Sequence, residues 1–393
     1  MIKFKLRKNL IYLFVYYISW YVRKIVTIIF ENTFDFYPSF IFLFLMNLGE
    51  IFGGLTIFLY QYISIKRKKE TKYFGIKLIY SEDNQIIIGD RLVKKIVLIF
   101  FAAFFDFMEF VISTFFLSPF DNNISPSFDL RFGCITTIWS SLLCTYALKV
   151  KIGKHNIISR WIMSICLLLS FILELCYKSD NVSFGNFLVA RLLCLGYLIC
   201  VSYNDCIEKY LVNTNFINPF KILMIEGIFE FIMSSFLSIG KSPFKEIKMK
   251  SNEISPGHFV LLIFLFFLYL ILSAILNAYK VYCNVIYSPM AKSLMDYLMS
   301  PFFCIYYFIE NDDFNKNYFY FFISEFIAII IVFFSCVYNE YIILYCFDIE
   351  HDTIDEVMER ATLVENNPDA NNISEEDDDD DDDDDDLVDD EEK

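Results

Sequence analysis

The chain has 393 residues, of which 56% are hydrophobic and 19% aromatic, and its mean hydropathy is +0.46. Soluble globular domains are about 45–50% apolar, so this composition indicates a membrane protein. It excludes a secreted disulfide scaffold, a soluble enzyme and a nucleic-acid-binding protein. The 11 cysteines lie mostly singly inside apolar runs, without metal-site spacing, and we interpret them as reduced packing residues. No cofactor and no enzymatic activity are predicted.

The formal charge of −16 is divided unevenly along the chain. Residues 348–393 contain 24 acidic and 2 basic residues, including ten consecutive aspartates at 377–386. The first 347 residues therefore contain 31 basic and 25 acidic residues, a mildly basic balance. We predict an apolar body followed by a disordered acidic tail, because self-repulsion and missing hydrophobic residues prevent the tail from folding. A solvated tail and a tail that binds a cytosolic protein both remain open.

Ten apolar segments predict membrane-spanning helices. A bilayer core needs about 20 mostly apolar residues per helix. The segments lie near 9–30, 39–64, 95–117, 130–149, 157–177, 184–204, 218–239, 259–282, 287–309 and 318–345. Proline-containing turns separate several of them, and the eighth is apolar on all sides, as expected of a helix in lipid. The sequence therefore predicts an all-α polytopic membrane protein with ten transmembrane helices.

The distribution of Lys and Arg predicts that both termini lie in the cytosol. If residues 1–8 are cytosolic, the segments on the same side hold 21 basic residues and the opposite loops hold 7. Positive charges concentrate on the cytosolic side of membrane proteins, so the bias supports this orientation. The predicted organisation is a cytosolic N-terminus at 1–8, two five-helix halves at 9–177 and 184–345, and the cytosolic tail at 348–393.

Ionisable side chains inside the predicted spans are the candidates for function. Such groups are costly in a bilayer and usually face a bundle interior or a water-filled path. We expect a polar cavity between the helices, with at least one of Glu226 and Glu230 facing it. A carboxyl group shielded from water readily holds a proton, so one of them is a candidate for proton coupling. The candidates are Glu50, Asp106, Glu109, Arg191, Glu226, Glu230, Lys280, Lys292, Asp296 and Glu325.

Two of these features have structural alternatives. Lys292 and Asp296 have the i, i+4 spacing of an intrahelical ion pair, which we favour over a substrate contact. Arg23 and Lys24 either lie deep in the first helix or extend their charges to the membrane surface, depending on where that helix begins.

Several short motifs resemble solute carrier family 35 and the EamA-like branch of the drug/metabolite transporter superfamily. The motifs occur in the family's order, and the likeness covers nearly all of residues 10–345. They are Asn47-Leu48-Gly49-Glu50, Leu130-Arg131-Phe132-Gly133, Glu208-Lys209-Tyr210, Asn218-Pro219-Phe220 and Glu226-Gly227-Ile228-Phe229. The resemblance implies an inverted 5+5 repeat with an alternating-access site near the midplane.

The same resemblance bears on the substrate. Nucleotide-sugar members place two lysines seven residues apart, with an asparagine between them, near the eighth-to-ninth turn. Lys280 and Asn284 match this pattern, but Tyr287 replaces the second lysine. Because a pyrophosphate needs concentrated positive charge, the substitution disfavours a nucleotide sugar.

The sequence thus leads to three functional hypotheses. The preferred one is a secondary transporter of a small polar metabolite in an endomembrane, with lipid as its surroundings and an unidentified small-molecule substrate. The alternatives are a nucleotide-sugar transporter, and a polytopic scaffold or receptor with an inactive transporter fold. The scaffold predicts that function survives neutralisation of Glu50, Glu226 and Glu230 but not removal of the tail.

Overall fold

A computed structural model gives the fold of the chain as a bundle of long helices. It describes residues 2–4, 11–34, 39–66, 85–88, 91–117, 131–146, 152–176, 183–215, 217–239, 256–286, 289–290, 292, 294 and 314–344. Most of the predicted segment 287–309 and all of the predicted tail at 348–393 lie outside these residues.

Within the described residues, a helix covers each of the other nine predicted segments. The helices are α1 (Ile11–Phe34), α2 (Ser39–Lys66), α3 (Lys95–Val111), α4 (Cys134–Tyr146), α5 (Lys154–Cys176), α6 (Phe184–Asn215), α7 (Pro219–Ser238), α8 (Pro256–Ile286) and α9 (Phe314–Tyr338). The chain after α3 continues as a π-helical segment, Ile112–Leu117. The Asn218 side chain accepts a hydrogen bond from the Phe220 amide, and Pro219 occupies the first helical position, so α7 has a well-defined start.

Six of the described helices are long and apolar enough to cross a bilayer, and two shorter apolar helices lie at Cys134–Tyr146 and Phe322–Tyr338. Large apolar side chains cover the outer faces, and Phe322, Phe236 and Val260 are 72%, 70% and 67% exposed. Exposed apolar surface on this scale is expected where lipid replaces water as the solvent. The protein is therefore an all-α integral membrane protein.

Two short antiparallel strand pairs accompany the helices. Strand β1 (Ile2–Phe4) pairs with β4 (Ile342–Leu344), and β2 (Gln85–Ile88) pairs with β3 (Arg91–Lys94). Glu340 has a φ of 58°, a left-handed conformation that turns the chain from α9 into β4. The β1–β4 pair places residues 2–4 beside the chain that leaves α9, and we name this end of the bundle the terminal end.

Helix α2 lies at the centre of the packing. It contacts α7 on one side and α8 on another, while α8 also packs on α1 and α7 also packs on α3. Helix α6 packs on α3 and α4, and α5 packs on α9. The segments next to each other in the chain are thus often not the ones that pack most closely.

Glycines allow α2 to approach both of its neighbours. A Cβ atom at Gly53 would lie 2.7 Å from the Ala274 carbonyl oxygen of α8, and one at Gly54 would lie 2.7 Å from the Phe220 carbonyl oxygen of α7. On α7, a Cβ at Gly227 would lie 2.9 Å from the Glu50 Cβ. Small residues at such crossings let helix backbones pack closely in lipid.

We expect Gly53→Val to lower the unfolding free energy by about 1–3 kcal/mol, because overpacking forces the backbones of α2 and α8 apart. Thermal unfolding in detergent, followed by circular dichroism, measures the change. The control is Gly185→Ala, since a Cβ at Gly185 meets nothing within 4 Å. Equal melting temperatures for the two variants would show that the α2–α8 contact is looser than described here.

Candidate functional site

A partly open cavity of about 640 Å³ lies between α1, α2, α3, α4, α6 and α8. Its lining follows α1 from Tyr16 to Glu31, a distance of about 22 Å at 1.5 Å per residue. Aromatic rings from Tyr17, Trp20 and Tyr269 form part of its wall. Seven charged residues line it, namely Arg23, Lys24, Glu31, Asp106, Glu109, Lys280 and Lys292. A cavity of this size, with both apolar and charged walls, is typical of a small-molecule site.

Asp106 connects the cavity to the helices behind it. Its carboxylate accepts hydrogen bonds from the Lys280 ammonium of α8 and from Asn204 Nδ2 of α6, the second at 2.8 Å. The carboxylate therefore joins three helices, α3, α6 and α8. Asp106 is buried, so the ion pair with Lys280 is shielded from water and screened little by salt.

Behind Asp106, carboxyl oxygens of Glu50, Asp106 and Glu230 all lie within 4.8 Å of one another. Glu50 accepts a hydrogen bond from Asn277 Nδ2 at 2.9 Å, whereas no N–H or hydroxyl donor of the described residues reaches its other oxygen or either oxygen of Glu230. Three carboxyl groups with only oxygen ligands are the type of set that holds a hard cation. Lys280 already supplies one positive charge to Asp106, and the remaining charge can be balanced by a proton or a metal ion.

A second group of polar contacts lies toward the terminal end of the bundle. Asp205 of α6 accepts hydrogen bonds from the Lys292 ammonium and from Asn284 Nδ2, the second at 2.9 Å. Asn284 also donates to Glu208 Oε2 at 2.6 Å. These contacts tie α6 to α8 and to the segment that follows it, just beyond the Lys280 level of the cavity.

A third charged cluster lies apart from the cavity lining. The Glu174 carboxylate of α5 accepts hydrogen bonds from Arg131 Nη2 at 3.2 Å and from Arg191 Nη2 at 3.3 Å. The Tyr320 hydroxyl also donates a hydrogen bond to it. The Arg191 guanidinium lies over the Phe187 ring, 4.7 Å from its centre. This cluster joins α5, α6, α9 and the helical turn before α4, and all four polar residues are buried.

The structure separates the predicted site residues into four groups. Asp106, Glu109, Lys280 and Lys292 line the cavity, as do Arg23 and Lys24. Glu50, Glu226 and Glu230 are buried where α2 meets α7 and are not among the residues that line this cavity, so a cavity-facing role for Glu226 or Glu230 stays a prediction. Arg191 belongs to the Glu174 cluster, and Glu325 is half-buried on α9, away from the lining. Asp296 lies outside the described residues.

Two basic residues, Lys292 and Arg131, have ion-pair partners that the sequence did not predict. Lys292 is bonded to Asp205 of α6, 87 positions away in the sequence, whereas its predicted intrahelical partner Asp296 lies outside the described residues. Arg131, at the edge of the predicted span 130–149, is fully buried and paired with Glu174.

Sequence reasoning missed several polar residues of these clusters. Asp205 and Glu208 lie past the predicted end of the sixth span at 204, but α6 continues to Asn215. Asn204 and Asn277 escaped notice because they are uncharged. Glu174 lies inside the fifth predicted span, and the argument that selects the other intramembrane charges applies to it equally.

The arrangement places charged, hydrogen-bonding and aromatic groups around one cavity, so it can bind a polar solute. Asp106 belongs both to the cavity wall and to the carboxyl cluster, so occupancy of one affects the electrostatics of the other. No protein-family model matches the chain, and no curated protein matches its sequence.

Proposed function

We propose that the protein is a secondary transporter that moves a small polar metabolite across an endomembrane by alternating access. The observation that carries the proposal is the cavity of about 640 Å³ inside a bundle of apolar helices, lined by charged side chains. Charges are retained in a bilayer where they contact a solute, an ion or water. A protein that only anchors or scaffolds has no need of such a cavity.

The proposal includes ten spans arranged as an inverted 5+5 repeat, as the resemblance to solute carrier family 35 implies. In that arrangement α1 corresponds to α6, α2 to α7, α3 to α8 and α5 to α9, with the predicted span 287–309 as the partner of α4. If each helix is replaced by its counterpart in the other half, the α1–α8 contact becomes α6–α3 and the α2–α8 contact becomes α7–α3. All four contacts are present. The α2–α7 and α5–α9 contacts map onto themselves.

Polar contacts at the centre follow the same correspondence. Asn277 of α8 bonds Glu50 of α2, and Asp106 of α3 lies beside Glu230 of α7. Transporters built from inverted repeats place their sites between the two halves. The β1–β4 pair further supports an even number of spans, because it places the first and last described strands at the same end of the bundle. Both termini are cytosolic in this proposal.

The contacts around Asp205 act in this proposal as the closed gate. They lie beyond Lys280, toward the terminal end, whereas the cavity lining extends the other way along α1 as far as the exposed Glu31. The described state is then occluded on the cytosolic side. Glu50 and Glu230 hold the coupling proton, since their free oxygens meet no donor from the described residues.

Uptake into proteoliposomes tests the transporter. The purified protein is screened with nucleotide sugars, amino acids and organic cations, with and without a pH gradient. We expect saturable uptake that the gradient accelerates. Glu50→Gln and Glu230→Gln should lose the acceleration while retaining exchange of substrate across the membrane, because exchange needs no net proton movement.

Glu325→Gln is the matched control, because it removes an intramembrane carboxylate that does not line the cavity. It should transport as the unmodified protein does. If no panel member is taken up, or if all three variants are indistinguishable while removal of residues 348–393 abolishes the cellular role, the scaffold hypothesis replaces the transporter.

A further inference from the structure

The charges of the cavity carry information about its substrate, beyond the proposal that the protein is a transporter. Of the seven charged residues in the lining, Lys280 is paired with Asp106, and Lys292 is paired with Asp205. The other four divide equally, with Arg23 and Lys24 positive and Glu31 and Glu109 negative. None of these four forms an ion pair with a described residue.

Two of these groups have buried atoms with unmet hydrogen-bonding capacity. Arg23 Nη1 and Glu109 Oε2 are both buried and lack a hydrogen-bond partner among the described residues. A buried donor or acceptor left without a partner costs about 1–3 kcal/mol or more. In the resting cavity water or a solute must supply the missing contacts.

Arg23 Nη1 needs a hydrogen-bond acceptor, whereas Glu109 Oε2 needs a hydrogen-bond donor. Arginine stays protonated and offers a planar fork of N–H donors that matches a carboxylate. The Arg23 guanidinium lies 5.8 Å from the centre of the Tyr269 ring, a cation–π contact. An ionised Glu109 carboxylate accepts hydrogen bonds, and a primary ammonium group supplies three donors.

The balance of charge also separates substrate classes. A nucleotide sugar carries concentrated negative charge and needs an excess of basic groups, and an organic cation needs an excess of acidic groups. The four unpaired charges of the lining provide neither excess. A neutral sugar needs hydrogen bonds but no buried ions, which would be costly to keep in the wall of its site.

We propose that the cavity selects a zwitterion, with its carboxylate bound by Arg23 and its ammonium group bound by Glu109. This inference rests on the proposed transport function and names its substrate class as molecules that carry a free amino and a free carboxyl group. The volume of about 640 Å³ admits an amino acid or a short peptide.

The test compares uptake of four labelled probes into proteoliposomes. They are leucine, leucine methyl ester, N-acetyl-leucine and glycyl-leucine, so that each single charge is removed in turn and the separation between charges is varied. We expect uptake of at least one of the two zwitterions to exceed that of both capped forms by at least about tenfold, because a capped end leaves a buried charge without its partner.

Substitutions of Arg23 and Glu109 test which residue binds which charged group of the zwitterion. Arg23→Gln should remove the preference for leucine over its methyl ester and leave the discrimination against N-acetyl-leucine. Glu109→Gln should remove the preference for leucine over N-acetyl-leucine and leave the discrimination against leucine methyl ester. A loss of folding alone lowers uptake of every probe equally and does not exchange preferences. Lys221→Gln, which removes an exposed charge outside the lining, is the control and should keep both preferences.

A binding measurement provides a second readout. Trp20 lines the cavity, so a zwitterion should change tryptophan fluorescence in a saturable way that Trp20→Phe abolishes. Uptake of nucleotide sugars or organic cations without uptake of zwitterions would overturn this inference and leave the transporter proposal intact. Absence of uptake and of binding for every probe would overturn both.

Discussion

Asp106→Asn is expected to reduce transport by about 100-fold, the largest functional effect of any single substitution in the bundle. Breaking a buried, hydrogen-bonded charge pair costs about 2–5 kcal/mol, and each 1.4 kcal/mol corresponds to a factor of ten. Asp106 bonds Lys280 and Asn204 and lies beside Glu50 and Glu230. The asparagine keeps the shape of the side chain but leaves the Lys280 ammonium without this carboxylate.

A double variant separates the structural part of this effect from the functional part. In Asp106→Asn combined with Lys280→Met, no charge of the pair remains, and replacing both members of a buried ion pair is often neutral for stability. We expect the melting temperature to recover toward that of the unmodified protein while uptake stays low. Recovery of uptake as well would show that the pair supports only the fold.

Glu174→Leu is expected to lower the unfolding free energy by about 3–5 kcal/mol, the largest effect on stability. The substitution leaves the buried guanidinium groups of Arg131 and Arg191 without the carboxylate that both contact. Arginine cannot release its proton to become neutral, so the charge remains. Chemical unfolding of the detergent-solubilised protein measures the loss.

The matched comparison removes all three charges, with Arg131→Met and Arg191→Met added to Glu174→Leu. Apolar side chains of similar volume restore a satisfied interior, so we expect most of the lost stability to return. A triple variant as unstable as the single one would contradict the assignment, because it would place the effect of Glu174 in packing rather than in charge.

The sequence alone determines that this chain spans a membrane and where its helices lie. Apolar length is a local property, and an 18-residue or longer run of apolar residues has few soluble alternatives. Each predicted span with described residues throughout coincides with a helix, within a few residues at most ends. The start of α7 at Pro219 likewise follows from the restricted backbone of proline, which is a local property of the sequence.

Helix ends and polar partners depended on the tertiary structure. Hydropathy ends the sixth span at 204, because Asn204, Asp205 and Glu208 are polar. The helix continues to Asn215, since its backbone hydrogen bonds need no apolar side chains once Asn284 and Lys292 satisfy Asp205. In the same way, the burial of Arg131 at the edge of the predicted fourth span is explained only by Glu174, 43 positions away.

The sequence identified most of the cavity's charged residues by type but not by role. Asp106, Glu109 and Lys280 stand out because ionisable groups are rare in apolar helices. Whether a charge lines a cavity, pairs with another helix or lies in a separate cluster depends on which helix faces meet. That choice is set by close approaches such as Gly53 to Ala274 and Gly227 to Glu50, which join residues more than 170 positions apart and leave no periodic trace in the sequence.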